Sequence, residues 1–332
     1  MSAGAAYLVV DAGTSRTRVR LWHDGGVRDE LDEQVGAKDV ALAGGPAPIA
    51  DALRRLIATL RARHGGDVRA VVCSGMITSN VGLVEVPHTT APIALDELAR
   101  RIVRHDVAGV TDLPTYFVPG VKTVGTAGGW DGLPAFDVMR GEEVEIAGLL
   151  ATLDLTLPLA FFHCGSHHKL IELSAGGVVE RSVTAITGEL LAAIRGSTIL
   201  ASSLVPLDDF VPDPAAVAAG LRHGRTLGLG RAAFLVRVGQ TIAGFEAAAV
   251  TAFLLGALTA LDLQLIEHEL AASTPLVIYG GGLFPAILRD ALLAEGGRDV
   301  RVVGTEASHH AAVVGTVRLL EAHLGASHRG QP

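Results

Sequence analysis

Apolar residues recur along this chain in two rhythms that follow one another in a fixed order. Residues 8–10, 17–22 and 27–34 read as three successive strands; in the second, Val19 and Leu21 alternate with Arg18 and Arg20, as the two faces of a half-buried strand require. A helix follows at 47–63, with Ile49, Leu53, Leu56, Ile57 and Leu60 on one stripe, then a strand at 68–73, a helix at 95–104, a strand at 115–118 and a helix at 142–153. The order then repeats. Strands are predicted at 159–163, 169–173 and 178–184, helices at 189–195, 214–222 and 244–271, then strand 276–279, helix 285–295, strand 300–303 and helix 307–324. Three strands and then alternating helices and strands, twice over, predict an α/β chain of two related βββαβαβα lobes. The lobes are drawn at 1–141 and 142–326, with 327–332 a disordered tail.

Composition fits this picture and narrows it. A chain of 332 residues is too long for one ordinary core, and 49% hydrophobic content with only 4% aromatics suits a soluble α/β protein. A net charge of −8, with no basic stripe to displace counterions, argues against nonspecific nucleic-acid binding, and no nucleic-acid partner is expected. Cys73 and Cys164 stand far apart, which argues against a disulfide framework and for a reducing, cytoplasmic setting. No signal sequence is read at the start. The longest apolar run, 247–261 between Glu246 and Asp262, is short for a bilayer and reads as a buried helix, so no membrane partner is expected.

Three glycine-bearing segments carry the candidate chemistry. In the first, the strand ending at Asp11 enters a turn of Gly13, Thr14, Ser15 and Thr17. Glycine admits a close anion and a positive φ, and the hydroxyls and Arg16 and Arg18 suit phosphate oxygens. Asp11 would repel phosphate, so it is the candidate Mg²⁺ ligand. The second segment repeats the design with Gly165, Ser166 and Lys169, and the third ends a buried strand at Gly280, Gly281 and Gly282 before a helix. This layout resembles the actin/hexokinase/Hsp70-like (ribonuclease H-like) ATPase fold. The resemblance implies two lobes with an interdomain cleft, a phosphate-binding hairpin from each lobe, and adenosine against the third segment.

The segments Ser74–Gly82, Val138–Glu143, Cys164–Lys169 and Thr187–Leu190 resemble the 2-dehydro-3-deoxygalactonokinases, over most of the chain from Tyr7 to Leu320. Where such kinases have Gly-Thr-His-Cys-Lys-Trp, this chain has Gly165-Ser166-His167-His168-Lys169-Leu170. The resemblance implies ATP-dependent phosphorylation of the 6-hydroxyl of 2-dehydro-3-deoxy-D-galactonate. In two-lobed sugar kinases a carboxylate at the start of a helix accepts the proton of the attacking hydroxyl. Glu142, after Arg140 and Gly141, occupies that place, with Glu143 the second candidate; both would also serve as ordinary helix-start acids.

The sugar acid needs a cation and hydroxyl partners, for which Arg140, Ser79, Asn80, Glu143 and Glu189 are candidates. Ser79 also suits a helix N-cap, and Glu189 a cap. His163, Cys164, His167 and His168 resemble a metal cluster, but neighbours on a strand point to opposite faces, so turn and nucleotide contacts are expected instead. A kinase for a related acid such as 2-dehydro-3-deoxygluconate, a non-catalytic sugar or nucleotide sensor on the same lobes and, more remotely, a hydrolase remain open. Oligomeric state leaves no trace in the sequence.

Overall fold

The computed structural model describes residues 5–65 and 67–329, with side chains to 326. The opening strands are β1 (Ala6–Ala12), β2 (Thr17–His23) and β3 (Gly26–Glu33), an antiparallel meander in which Asp11 lies opposite Arg18. Helices α1 (Ala37–Ala43) and α2 (Ala47–His64) return the chain to β4 (Val68–Gly75), which runs parallel to β1. Because strand residues alternate between faces, Leu8, Val10, Val19 and Leu21 all meet Ile49, Leu53 and Leu60 of α2 in one core. Asp11, Arg18 and Arg20 are thereby left on the opposite face.

The chain continues through β5 (Thr89–Thr90), β6 (Ile93–Ala94), α3 (Leu95–Arg100), β7 (Val103–Arg104) and β8 (Thr115–Phe117). The helix expected over 95–104 stops at Arg100, and its β-branched end pairs with β8 instead. Then come β9 (Val121–Thr123), α4 (Gly129–Gly132), β10 (Asp137–Met139) and α5 (Glu142–Thr152). The main sheet has the order β3-β2-β1-β4-β8-β7, and a small unpredicted sheet has the order β10-β9-β5.

A second unit comprises Pro158–Leu173 and Val183–Thr305. It holds β11 (Leu159–Cys164), β12 (His168–Leu173), the end of β13 (Val178–Ala185), α6 (Thr187–Ser197), α7 (Pro214–Leu227), α8 (Leu229–Thr241), α9 (Ala247–Glu269), β14 (Leu276–Gly280), α10 (Phe284–Glu295) and β15 (Val300–Val302). Its strands lie in the order β15-β14-β11-β12. Phe162, Leu170, Leu254, Leu258, Ile278 and Leu288 share its core. Helix α9 falls within the helix predicted over 244–271 and is a few residues shorter at both ends. Its 23 residues are long and apolar enough to cross a membrane, yet most of that apolar length is buried in this core.

The final helix, α11 (Thr305–Arg329), packs with the first unit, which comprises residues up to 157, Ser174–Ser182 and the residues from Glu306 on. The packing boundary therefore falls at Leu157 and not at 141. The reason is a helix crossing that binary patterning does not display: a Cβ on Gly148 of α5 would stand 1.7 Å from the Ala311 carbonyl oxygen, and one on Gly315 of α11 1.8 Å from that of Val144. Bare backbone lets α5 and α11 touch. Residues 327–329, expected in a disordered tail, are the last turn of α11, and 330–332 lie outside the described residues.

Candidate active site

In the first unit, the turn after β1 is a tight one, with the Gly13 amide donating to the Arg16 carbonyl at 2.9 Å. Ala37 and Lys38 at the start of α1 donate to the Gly13 and Thr14 carbonyls, so the turn rests on that helix. Gly13 itself is outside the left-handed region; the close approach belongs to Gly36, where a Cβ would stand 2.6 Å from the Thr14 and Ser15 backbone. Thr14 and Ser15 are exposed. Thr17, by contrast, is fully buried and donates to the Val35 carbonyl at 2.7 Å, which removes it from the expected phosphate donors. Arg16 and Arg18 are likewise turned to β3, with Asp32 at 3.3 Å and Glu30 at 3.1 Å.

Asp11 is partly buried at the end of β1. Burial raises its carboxyl above the ordinary range, Arg20 opposes this and Glu145 adds to it, so Asp11 lies in a mixed field of both signs. Beside it, Gly75 has φ +80, and a Cβ there would stand 2.7 Å from the Ala12 carbonyl oxygen and 3.3 Å from the Asp11 carboxylate. A Cβ on Gly141 would in turn lie 3.6 Å from the Gly75 Cα. Gly75 thus lies close against the end of β1, with Gly141 on another side, a role the sequence reading did not assign.

Within that segment the Arg140 amide donates to Glu142 at 3.0 Å, and the Gly141 amide donates to both Glu143 oxygens at 2.9 and 2.8 Å. The two acids do serve the start of α5. They differ sharply in environment. Glu143 is fully buried, and burial, followed by the charge of Glu142, pushes its carboxyl up to about 8. Glu142 is only partly buried.

Arg140 is committed elsewhere than a bidentate grip on a substrate acid. One terminal nitrogen donates to the Thr78 carbonyl at 2.7 Å and to the Thr78 hydroxyl; the other donates to the Val86 carbonyl at 3.0 Å and lies 3.2 Å from His88 Nδ1. It brackets the loop that carries Ser79 and Asn80. Ser79 is buried, donating to the Met76 carbonyl at 2.7 Å and accepting from the Val81 amide, so its hydroxyl serves the turn, whereas Asn80 is exposed. Thr78 and His88, which hold this bracket, were not singled out from the sequence.

The second unit has its own turn, between β11 and β12. Ser166 and His167 are exposed, and His167 lies 3.0 Å from the exposed Glu189 carboxylate. The Glu189 amide donates to the Ser166 carbonyl at 2.8 Å, and a Cβ on Gly188 would stand 2.0 Å from the Gly165 carbonyl oxygen, so the turn is pressed on the start of α6. Lys169 is buried and donates to Thr184 at 2.7 Å. Gly280, at φ +115, leaves 2.2 Å between a would-be Cβ and the Cys164 carbonyl oxygen, and the Gly281 amide donates to that same oxygen at 3.1 Å. Gly282 is exposed. The glycine segment and the turn are therefore joined at Cys164.

Behind the turn His168 is buried, with Nδ1 2.8 Å from Asp262 Oδ2, and Thr187 donates to Asp262 Oδ1 at 2.7 Å. His167 and His168 diverge, one outward and one into the core. Asp262, read from the sequence only as the end of the apolar run, lies instead in the buried interior of α9.

The 2-keto-3-deoxy-galactonokinase family model matches residues 11–315. A Rhizobium meliloti (strain 1021) protein named as a probable 2-dehydro-3-deoxygalactonokinase is 29% identical over 327 residues, 96% of this chain and 99% of that one. The 2-dehydro-3-deoxygalactonokinase of Escherichia coli (strain K12) is 22% identical over 310 residues, 93% of this chain and 96% of that one. A crystal structure from Sinorhizobium meliloti, provisionally assigned to the same kinases, superposes with a TM-score of 0.75 at 26% identity, covering 95% of this chain and 98% of that one. With the paired acids at the start of α5 and the two glycine-bearing turns in view, the chain belongs to the 2-keto-3-deoxy-galactonokinase family and is a sugar-acid kinase of the actin/hexokinase/Hsp70-like ATPase fold.

Proposed function

We propose that the protein transfers the terminal phosphoryl group of ATP to the 6-hydroxyl of 2-dehydro-3-deoxy-D-galactonate in line, with Glu142 as general base. The observation that carries this reading is the unequal pair at the start of α5. Two adjacent carboxylates repel, and the buried one retains its proton: Glu143, pushed up to about 8, is neutral near pH 7. The charge then rests on Glu142, the more accessible of the two. A hydroxyl placed against Glu142 would lose its proton there as its oxygen attacks phosphorus.

Mg²⁺ is assigned to Asp11. Mg²⁺ takes one or two carboxylates and fills its remaining positions with water and phosphate oxygens, so a single carboxylate beside the first turn suffices. The bound ion would offset charge on the phosphates. The exposed hydroxyls of Thr14 and Ser15 serve the first phosphate turn, and Gly165 and Ser166 the second, with Gly280–Gly282 facing the adenosine. Asn80 is the substrate contact in its loop, with Arg140 acting as the bracket that holds it. Phosphoryl transfer asks mainly for such positioning and charge neutralisation.

Replacement of Glu142 by Gln tests the assignment. Binding of ATP and of the sugar acid should stay near normal while turnover falls roughly 10²–10⁴-fold, the usual contribution of a positioned base. Wild-type turnover in that variant would remove Glu142 from the role.

A further inference from the structure

Helix α9 carries Asp262 in the middle of an apolar length, fully buried, where an unpaired carboxylate would be costly. Both of its oxygens are engaged, one by His168 at 2.8 Å and the other by the Thr187 hydroxyl at 2.7 Å. Those partners flank the second phosphate turn. His168 is the first residue of β12, directly after Gly165, Ser166 and His167; Thr187 opens α6, next to the Gly188 backbone that presses on the Gly165 carbonyl. His168 also sets its ring edge-on to Phe284, at 4.8 Å between centroids, and Phe284 opens α10 just past Gly280–Gly282. The other ring nitrogen, Nε2, is buried without a hydrogen-bond partner. Among the described residues, Asp262 is therefore the polar group that fixes the orientation of the ring.

We propose that Asp262 is a positioning residue for nucleotide binding: through His168 and Thr187 it fixes the Gly165–Ser166 turn against the start of α6, and through the His168 ring it orders the exit of the glycine segment. It touches no substrate. The inference rests on the kinase reading above and extends it to a residue remote from the reacting atoms. Loss of a hydrogen bond to a charged group should loosen the turn and weaken ATP and ADP binding by roughly tenfold to a hundredfold. The sugar-acid KM should be left within about twofold, because the first unit supplies the Asn80 loop.

The test uses three variants of the full chain: Asp262→Asn, Thr187→Val and Thr187→Ser. Calorimetric ADP binding, both KM values and thermal unfolding are measured for each. Thr187→Val removes the hydroxyl and Thr187→Ser only a methyl group, so the pair carries the test if Asp262→Asn does not fold. The expected result is weaker ADP binding and a raised ATP KM in Asp262→Asn and Thr187→Val, with Thr187→Ser close to wild type. Variants that unfold at lower temperature yet bind ADP as wild type does, or equal losses in both Thr187 variants, would overturn the inference. A wild-type protein that binds no ADP would instead overturn the kinase reading beneath it.

Discussion

Glu143 and Glu142 differ by one position in the chain, and their protonation separates them. In the folded protein the Glu143 carboxyl is raised from its ordinary 4.5 to about 8, so between those values the folded state holds a proton that the unfolded chain releases. Its contribution to stability is therefore full below about 4.5 and lost as pH rises through about 8. Glu143→Gln keeps the neutral shape without the titration, so its unfolding midpoint should fall less than that of the wild type between pH 5 and 9 on the same denaturant series. Identical pH slopes would show that Glu143 is ionised in the fold. Arg140 makes a second residue-scale case. Substitution by Ala removes the guanidinium donor from the Val86 carbonyl and from Thr78, whose carbonyl keeps only the Val86 amide at 2.9 Å, at a cost of about 1–3 kcal/mol by the usual penalty for unmet buried groups. The urea midpoint should drop accordingly; a variant of unchanged stability that loses only sugar-acid affinity would restore the direct contact with substrate.

At the scale of elements, the contact of α5 with α11 reverses the ordinary effect of glycine. Gly→Ala in a helix interior normally stabilises by about 0.8–1 kcal/mol, but a Cβ at position 148 would meet the Ala311 backbone, which cannot yield as a side chain can. Overpacking of roughly 1–3 kcal/mol should win, so Gly148→Ala is expected to unfold at a lower temperature than wild type, and a rise in its midpoint would mean the helices do not touch there. The same contact explains what the sequence did and did not disclose. Strand and helix periods were legible because Val19 against Arg18, or Ile49 with Leu53, records which face is buried. The membership of α5 was not, since Gly148 and Gly315 carry no polarity to read. The engagement of Thr17 and Lys169 was illegible for a related reason: residue type announces a donor, but only the fold shows that the Thr17 hydroxyl is taken by Val35 and that Lys169 also bonds Thr184. Asp262 was legible in principle, as a charge in an apolar helix, yet its partners lie 75 and 94 residues away in the chain.

For the molecule as a whole, the family assignment fixes the class of reaction as phosphorylation of a sugar acid. The finer claim concerns the acceptor. The galacto and gluco epimers of 2-dehydro-3-deoxy acids differ at one hydroxyl-bearing carbon, and a site built to hydrogen-bond one hydroxyl can reject the other epimer strongly because its own polar group is left unpaired. Exposed Asn80 is the group assigned to that discrimination, so Asn80→Ala should lower kcat/KM for the galacto acid more than for the gluco acid. The most direct measurement is ADP release from ATP across a panel of 2-dehydro-3-deoxy acids, with the position of the phosphate on the product read by phosphorus and proton NMR. The account predicts that ADP release requires the acid, is fastest by kcat/KM with the galacto epimer, and yields the 6-phosphate; ADP release independent of any acid, equal use of both epimers, or phosphate at another carbon would contradict it.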